Sequence, residues 1–136
     1  MRFRQMAAVS DSVRQGPLGL PEMHELSIAN SIIEIAEEEA YRRKVRVSGV
    51  HLKLGPLSGV VKEALLSAYE IAIAGTSMEG SRLIVEDVPI SVYCPKCCQS
   101  RSVKSMQLLC CPVCQTPVSD IREGAQLEVT ALEIES

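Results

Sequence analysis

The chain has 136 residues, a hydrophobic content of 46%, a charged content of 23% and a formal net charge of −3. This composition is that of one globular domain with at most a small second module, and its acidic balance disfavours a nucleic-acid-binding surface, which needs a basic face. No apolar run comes close to the length of about 18 residues that a membrane-spanning helix needs. Because aromatic residues make up only 3% of the chain, we expect an aliphatic core.

The first 22 residues show no sustained hydrophobic period. They contain Gly16, Pro17, Gly19 and Pro21, which interrupt helices, and they lack the apolar centre of a secretory signal. We predict that residues 1–22 are a disordered extension or that translation begins at a later methionine. The absence of an export signal, together with six cysteines, favours a reducing cytoplasm.

A helix and a strand are predicted next. Apolar residues recur at helical spacing from residue 29 to residue 40, which predicts a helix over residues 25–43. Glu25 in its first turn complements the helix dipole. Val45–Leu54 alternates as a strand does, and the alternation changes phase at Gly49, which predicts a β-bulge there.

The same patterns predict three further elements. An unbroken apolar face from Leu57 to Ala72 indicates a second helix. Ser58 is its predicted N-cap, and Gly75 is the predicted left-handed residue after its end. Arg82–Val88 and Gln126–Ile134 are predicted strands.

This order of elements predicts an α+β fold. Two strands alone are marginally stable, so we expect the terminal strand to return and complete a small three-stranded sheet covered by the two helices. The α+β domain then comprises residues 23–90 plus 122–136, and a cysteine-rich module at residues 91–121 is inserted before the last strand.

Two Cys-Pro-x-Cys units, Cys94/Cys97 and Cys111/Cys114, define the inserted module. Two thiolates at this spacing can bind one metal ion from a single turn, and two such turns complete a tetrahedral shell that suits Zn(II). We therefore predict a zinc ribbon with four cysteine ligands. A shell closed by four protein ligands has no position open for catalysis, so the zinc is structural.

Cys98 and Cys110 are left over as spare thiols, and they keep alternatives open. A disulfide framework would use all six cysteines, although paired units of this kind in a cytosolic chain are more often metal sites. Iron in the same thiolate shell would make the chain an electron carrier, and the colour of the purified protein distinguishes the two metals. A zinc ribbon that binds a protein or a nucleic acid is the remaining alternative.

Five motifs stand between Met23 and Glu135: M-H-E-L-S-I-A before an acidic helix, V-x-L-K-L-G-P-L-S-G-V, G-T-S-M-E-G, C-P-K-C with C-P-V-C, and L-E-V-T-A-L-E-I-E. In this combination the chain resembles the hydrogenase nickel-incorporation accessory proteins. The resemblance implies a nickel-binding domain with an inserted zinc ribbon. The residues that it implies are Met23, His24 and Glu25 for nickel, and Cys94, Cys97, Cys111 and Cys114 for zinc.

The resemblance also implies a function. The chain would be a metallochaperone that delivers Ni(II) as transient cargo to the large subunit of a nickel–iron hydrogenase, with Zn(II) as a structural ion. A nickel-binding GTPase would be its partner, and some members would also supply urease through a urease accessory protein. We expect a monomer or weak homodimer and no catalysis, because no catalytic residue set or phosphate loop is present.

The chemistry of Met23-His24-Glu25 depends on where the chain starts. A terminal Met23 amine, the His24 backbone nitrogen and the His24 Nδ1 can form adjacent chelate rings, and nitrogen-rich square-planar geometry suits Ni(II). Here the motif is internal, and an amide is a poorer ligand than an amine, so we favour a translational start at Met23. His51, the other histidine, is predicted to be a half-exposed strand residue without a ligand role.

Overall fold

The computed structural model describes residues 4–12, 25–103 and 109–135. The elements are β1 (Arg4–Ser12), α1 (Glu25–Arg43), β2 (Arg46–Leu54), a 3-10 turn (Pro56–Ser58), α2 (Lys62–Ile73), β3 (Arg82–Asp87), β4 (Ile90–Cys94), β5 (Gln99–Val103), β6 (Asp120–Glu123) and β7 (Leu127–Glu135). They form a four-stranded sheet of order β1-β7-β2-β3 and a three-stranded sheet of order β5-β4-β6. None of the helices in these ranges is long and apolar enough to cross a bilayer.

The predicted three-stranded core of the first sheet is present. β7 returns to pair antiparallel with β2, and β2 pairs parallel with β3. The register shifts between Val47 and Gly49, which confirms the bulge. A side chain at Gly49 would overlap with the Glu133 carboxylate, so the absence of a Cβ allows β7 to approach at this point.

Helices α1 and α2 pack on each other and on one face of this sheet. The fully buried aliphatic residues are Ala29, Ile32, Ala36, Val50, Leu52, Leu65, Val129 and Leu132. Tyr69 is the aromatic exception, and its hydroxyl lies 2.6 Å from the Ser81 hydroxyl inside the core. Burial raises the pKa of Tyr69, so this pair is a neutral hydrogen bond.

The start of the second helix differs from the prediction. Val61, not Ser58, is the N-cap of α2, and it makes no side-chain cap bond. Ser58 ends the 3-10 turn, and Gly59 after it has a φ of 79°. A left-handed residue cannot continue a right-handed helix, so α2 begins only beyond it. Gly75 has a φ of 77°, as predicted for the residue that closes the helix.

Residues 4–12 form β1, so the prediction of a disordered extension is wrong for this part of residues 1–22. β1 pairs antiparallel with β7, with Arg4 opposite Glu135 and Ser12 opposite Glu128. The sequence of residues 4–12 gives little indication of a strand, because Val9 is the one β-branched residue in this segment. Residues 1–3 and 13–22 lie outside the described residues, and a translational start at Met23 stays a prediction.

The second sheet and its cysteine turns, residues 90–123, are called the ribbon. The chain enters the ribbon before residue 90 and leaves it after residue 123, and both connections lie beside the loop after β2. The Gly55 amide donates to the Gln126 carbonyl at 2.8 Å, and the Leu57 amide donates to the Gly124 carbonyl at 2.7 Å. The Leu57 side chain packs against the ribbon's apolar core. This loop therefore joins the two sheets, while the predicted domain boundaries at 23–90 plus 122–136 and 91–121 stay a prediction.

Gly55→Ala is expected to lower the free energy of unfolding by about 2–3 kcal/mol. The new Cβ would overlap with the Gly124 carbonyl, so the backbone must move and weaken both hydrogen bonds of the loop. Urea denaturation followed by circular dichroism measures the change. The matched control is Gly59→Ala, where the Cβ meets no atom within 4 Å and only the φ of 79° is unfavourable, at about 1 kcal/mol. Equal midpoints for the two variants would contradict a rigid contact at Gly55.

Candidate metal centre

Two cysteine turns of similar backbone geometry build the site. Cys94 ends β4 and Cys97 follows it in a turn, in which the Cys97 amide donates to the Cys94 Sγ at 3.4 Å. The second turn is closed by the amide of Gln115, which donates to the Cys111 carbonyl at 2.8 Å. The residue after each unit is left-handed, with a φ of 54° at Cys98 and 62° at Gln115. The repeated geometry explains why two Cys-Pro-x-Cys units present their thiols in the same way.

The four predicted cysteines meet at one point. Their sulfur atoms all lie within 4.8 Å of one another. Across the two turns, the Cys94 and Cys114 sulfurs are 3.5 Å apart and the Cys97 and Cys111 sulfurs are 3.9 Å apart. A tetrahedral ion with Zn–S bonds of about 2.3 Å places its sulfurs about 3.8 Å apart. The shell therefore has the size that a single tetrahedral ion requires.

The cluster is also the centre of the ribbon's core. Cys94 and Cys111 are 0% exposed, and Cys97 and Cys114 are half-buried. The other buried residues of this core are Ile90, Val92, Val103 and Val118. So few apolar residues rarely hold a module of this size together, and small domains of this kind depend on a metal or disulfides. The donor set and its position both fit a structural ion.

Hydrogen bonds and burial move the pKa values of two thiols of the cluster in opposite directions. The hydroxyl and amide of Thr116 donate to the Cys114 Sγ, with the hydroxyl at 3.1 Å, and they lower the pKa of Cys114 to about 6. The hydrogen bond to Cys114 and burial raise the pKa of Cys97 to about 12. Because adjacent like charges repel, four thiolates here need a cation between them, and a bound divalent ion deprotonates its thiol ligands.

Cys98 and Cys110 lie outside the cluster. Cys98 is exposed and its thiol donates to the Pro95 carbonyl at 3.4 Å. Cys110 is half-buried in an isolated β-bridge with Pro117. All six cysteines are free thiols, so this structure contains no disulfide framework.

Thr116 was missed by sequence reasoning. Its hydroxyl reaches Cys114 only because Gln115 turns the chain into the left-handed region. Threonine two residues after a cysteine carries no recognisable signal, and the corresponding position of the first turn is Gln99. The contact could be found only from the folded backbone.

The predicted nickel ligands are described only in part. Glu25 is the first residue of α1 and is half-buried, whereas Met23 and His24 lie outside the described residues. His51 is half-buried in β2, and its Nε2 lies 3.6 Å from the Glu133 carboxylate. That position agrees with the half-exposed strand histidine that the sequence predicts.

The chain is similar to known proteins over most of its length. Residues 23–134 match the family described as hydrogenase/urease nickel incorporation, metallochaperone, hypA. The chain is 48% identical over 114 residues to the hydrogenase maturation factor HypA of Roseiflexus sp. strain RS-1, which covers 83% of this chain and 93% of that protein. It is 45% identical over 112 residues to the HypA of Chloroflexus aurantiacus J-10-fl, covering 82% of this chain and 98% of the relative.

The fold is also similar to a solved structure. The solution structure of the Ni metallochaperone HypA from Helicobacter pylori aligns with a TM-score of 0.57 at 23% identity, over 82% of this chain and 97% of that one. At this identity the likeness concerns the fold alone. The family match begins at residue 23, so β1 lies outside it.

Proposed function

The chain belongs to the hydrogenase/urease nickel-incorporation metallochaperone family, and from this premise we infer that it is a nickel metallochaperone for hydrogenase maturation. We propose that it binds Ni(II) and delivers it to the large subunit of a nickel–iron hydrogenase. The family match over residues 23–134 is the observation that carries this conclusion. The cargo is bound reversibly, and the chain itself performs no catalysis.

We propose Met23, His24 and Glu25 as the nickel ligands. Imidazole and backbone nitrogens suit Ni(II), and the Glu25 carboxylate can add an oxygen from the first residue of α1. A chelate built from one short segment has few enclosing contacts. It can therefore release its ion more readily than a shell closed by two separate turns.

We propose that Zn(II) binds at Cys94, Cys97, Cys111 and Cys114. The sulfur separations of 3.5 and 3.9 Å support this assignment, as does the burial of two of the ligands. Zinc supplies folding free energy to a module with a small apolar core. Its proposed role is to hold the ribbon in shape rather than to take part in nickel exchange.

The proposed partners follow from the family. A nickel-binding GTPase would act with the chain in the cytoplasm, and a urease accessory protein would be a second recipient. The alternative is a zinc ribbon that binds other proteins or nucleic acid without nickel. The net charge of −3 disfavours nucleic acid, and a chain that binds zinc but no nickel would favour this alternative.

The form of the chain that begins at Met23 is expected to bind nickel at least about tenfold more tightly than the full chain, a difference of about 1.4 kcal/mol. In the full chain the Met23 nitrogen is part of a peptide bond, and an amide nitrogen is a poorer ligand than a free amine. Calorimetric titration with Ni(II) measures both affinities, and zinc content should be the same in each.

Removing residues 1–22 also removes β1, so a third form is the matched control. A chain that begins at residue 13 lacks β1 and keeps Met23 as an internal residue. We expect its nickel affinity to equal that of the full chain. Equal affinity in all three forms would show that the Met23 amine is not a ligand, and His24 and Glu25 would then carry the site.

A further inference from the structure

Strand β3 has one unpaired edge. The sheet order is β1-β7-β2-β3, so in the part of the chain that the structure describes β2 pairs with one side of β3 and no strand pairs with the other. β3 reads R-L-I-V-E-D, and its apolar, mostly β-branched middle favours strand pairing. We propose that the outer edge of β3 binds the same edge of a second copy of this chain, so that two chains form a symmetric antiparallel dimer.

The edge of β3 lacks features that commonly prevent such pairing. It contains no proline and no lysine, and its register with β2 runs from Gly49 opposite Arg82 to Leu54 opposite Asp87 without a bulge. Natural proteins use prolines, lysines and bulges to keep edge strands from pairing with other chains. β3 is therefore a regular template for another strand.

The backbone groups of Leu83 and Val85 point away from β2. The Val88 amide, just after β3, donates to the Leu54 carbonyl of β2 at 2.9 Å. The direction of these groups alternates along a strand, so residues an odd number of positions before Val88 present theirs to the outer edge. Within the described residues, neither Leu83 nor Val85 makes a backbone hydrogen bond outside the ladder of β2 and β3. Their amides and carbonyls are available to another strand.

The side chains of β3 favour a second copy as the occupant. Antiparallel pairing centred on Ile84 places Arg82 opposite the partner's Glu86 and Glu86 opposite the partner's Arg82. It also places Leu83 opposite the partner's Val85. Opposite charges and apolar pairs stabilise cross-strand neighbours. A register shifted by two residues would instead place Arg82 or Glu86 opposite Ile84, so the centred register is preferred.

The centred register also agrees with the two faces of the sheet. Leu83 and Val85 pack against the helix-covered core, yet both are only half-buried because they lie at its edge. Residues an even number of positions apart share a face, so this register continues each face of one sheet into the same face of the other. It makes Leu83 and the partner's Val85 a hydrogen-bonded pair. The second copy would thus cover the apolar rim that one copy leaves exposed.

The charged residues at the ends of this segment can take part in the pairing. Glu86 is exposed and has no ion pair among the described residues. The Arg82 side chain is 62% exposed, and one of its nitrogens lies 3.5 Å from the Glu133 carboxylate. A guanidinium has several N–H donors in a planar fork. Arg82 can therefore keep its contact with Glu133 on the β2 side and donate to the partner's Glu86 on the other.

A dimer held by one strand pair is small. Stable interfaces bury about 1,600 Å² in total, and transient ones less than about 1,200 Å². We therefore expect a reversible dimer with a Kd on the order of 10–100 μM. The full chain would be monomeric in dilute solution and dimeric when concentrated.

Sedimentation equilibrium of full-length charge variants tests the register. Glu86→Arg brings arginine against the partner's Arg82, and Arg82→Glu brings acid against the partner's Glu86, so each should dimerise at least about tenfold more weakly than the wild type. An equal mixture of the two variants should associate within about threefold of the wild type, because each chain then supplies one sign of charge. The matched control is Glu34→Arg, which makes the same change at an exposed position of α1 and should dimerise as the wild type does.

Val85→Pro tests the backbone contact. Proline removes an N–H that points to the outer edge and is not used by β2, and edge strands tolerate such a proline. We expect a folded chain whose dimerisation is at least about tenfold weaker. Ile84→Pro is the contrasting variant, because its N–H faces β2 and its loss should destabilise the fold itself.

Hydrogen exchange of the wild type gives a measurement that needs no variant. The Leu83 and Val85 amides should exchange at least about fivefold more slowly at about 500 μM than at about 5 μM protein, whereas the amides of β6 should not change. A wild type that stays monomeric at about 1 mM, a mixture no better than the single charge variants, or unchanged dimerisation of folded Val85→Pro would each overturn the proposal. None of these readouts depends on nickel, so they are separate from tests of the proposed function.

Discussion

Cys94→Ser is expected to abolish stoichiometric zinc binding and to unfold the ribbon. Cys94 is fully buried in the cluster, where a serine hydroxyl is a poor ligand for the ion and leaves an unpaired polar group. Structural zinc contributes on the order of 10 kcal/mol in small modules, which is more than the ribbon's few buried aliphatic residues can replace. Cys114→Ser should have the same effect, because its sulfur lies 3.5 Å from that of Cys94.

Metal analysis of the purified variants measures the zinc content, and the dispersion of amide signals from residues 90–123 reports the fold. Cys98→Ser and Cys110→Ser are the matched controls, since both thiols lie beside ligands but outside the cluster. Both should keep one zinc per chain. Loss of zinc in either control would show that the ion uses a different set of four thiols.

His24→Ala is expected to abolish nickel binding in the form that begins at Met23. The imidazole is the one nitrogen side chain in the proposed ligand set, and no neighbouring residue can replace it. Glu25→Ala should weaken binding less, because water can take the place of a carboxylate oxygen in a nickel site. Calorimetry with Ni(II) measures both affinities, and the zinc content should not change.

His51→Ala is the control for this prediction, because His51 is the other histidine of the chain and lies in β2 beside Glu133. It should bind nickel as the unmodified protein does. Nickel binding that survives in His24→Ala and is lost in His51→Ala would move the site to the open face of the sheet. That result would contradict the ligand set proposed at residues 23–25.

The elements with local signals were predicted closely. Helix α1 spans Glu25–Arg43, the same bounds that its apolar spacing and end charges predict. The bulge at Gly49 and the left-handed Gly75 were also predicted. Each of these features depends on neighbouring residues in the chain, because helical periodicity, strand alternation and glycine's access to positive φ are all local properties.

The cysteine pattern is informative for the same reason. Two residues between paired thiols limit each turn to a few geometries, so the grouping of Cys94, Cys97, Cys111 and Cys114 follows from spacing, and their sulfurs meet within 4.8 Å. The contact of Thr116 with Cys114 does not follow from spacing. It depends on a backbone turn that the residue types alone do not specify.

By itself, the sequence determined helix α1, the end of helix α2, strands β2, β3 and β7 and the four thiols that meet, because these depend on periodicity and short spacing. Only the tertiary structure decided that residues 4–12 form a strand and that Gly55 lies against Gly124. β1 has almost no strand propensity of its own, and its hydrogen bonds come from a partner more than 100 residues away in the chain. Such pairing depends on the backbone edge that the rest of the fold leaves open, which no local pattern in residues 4–12 records.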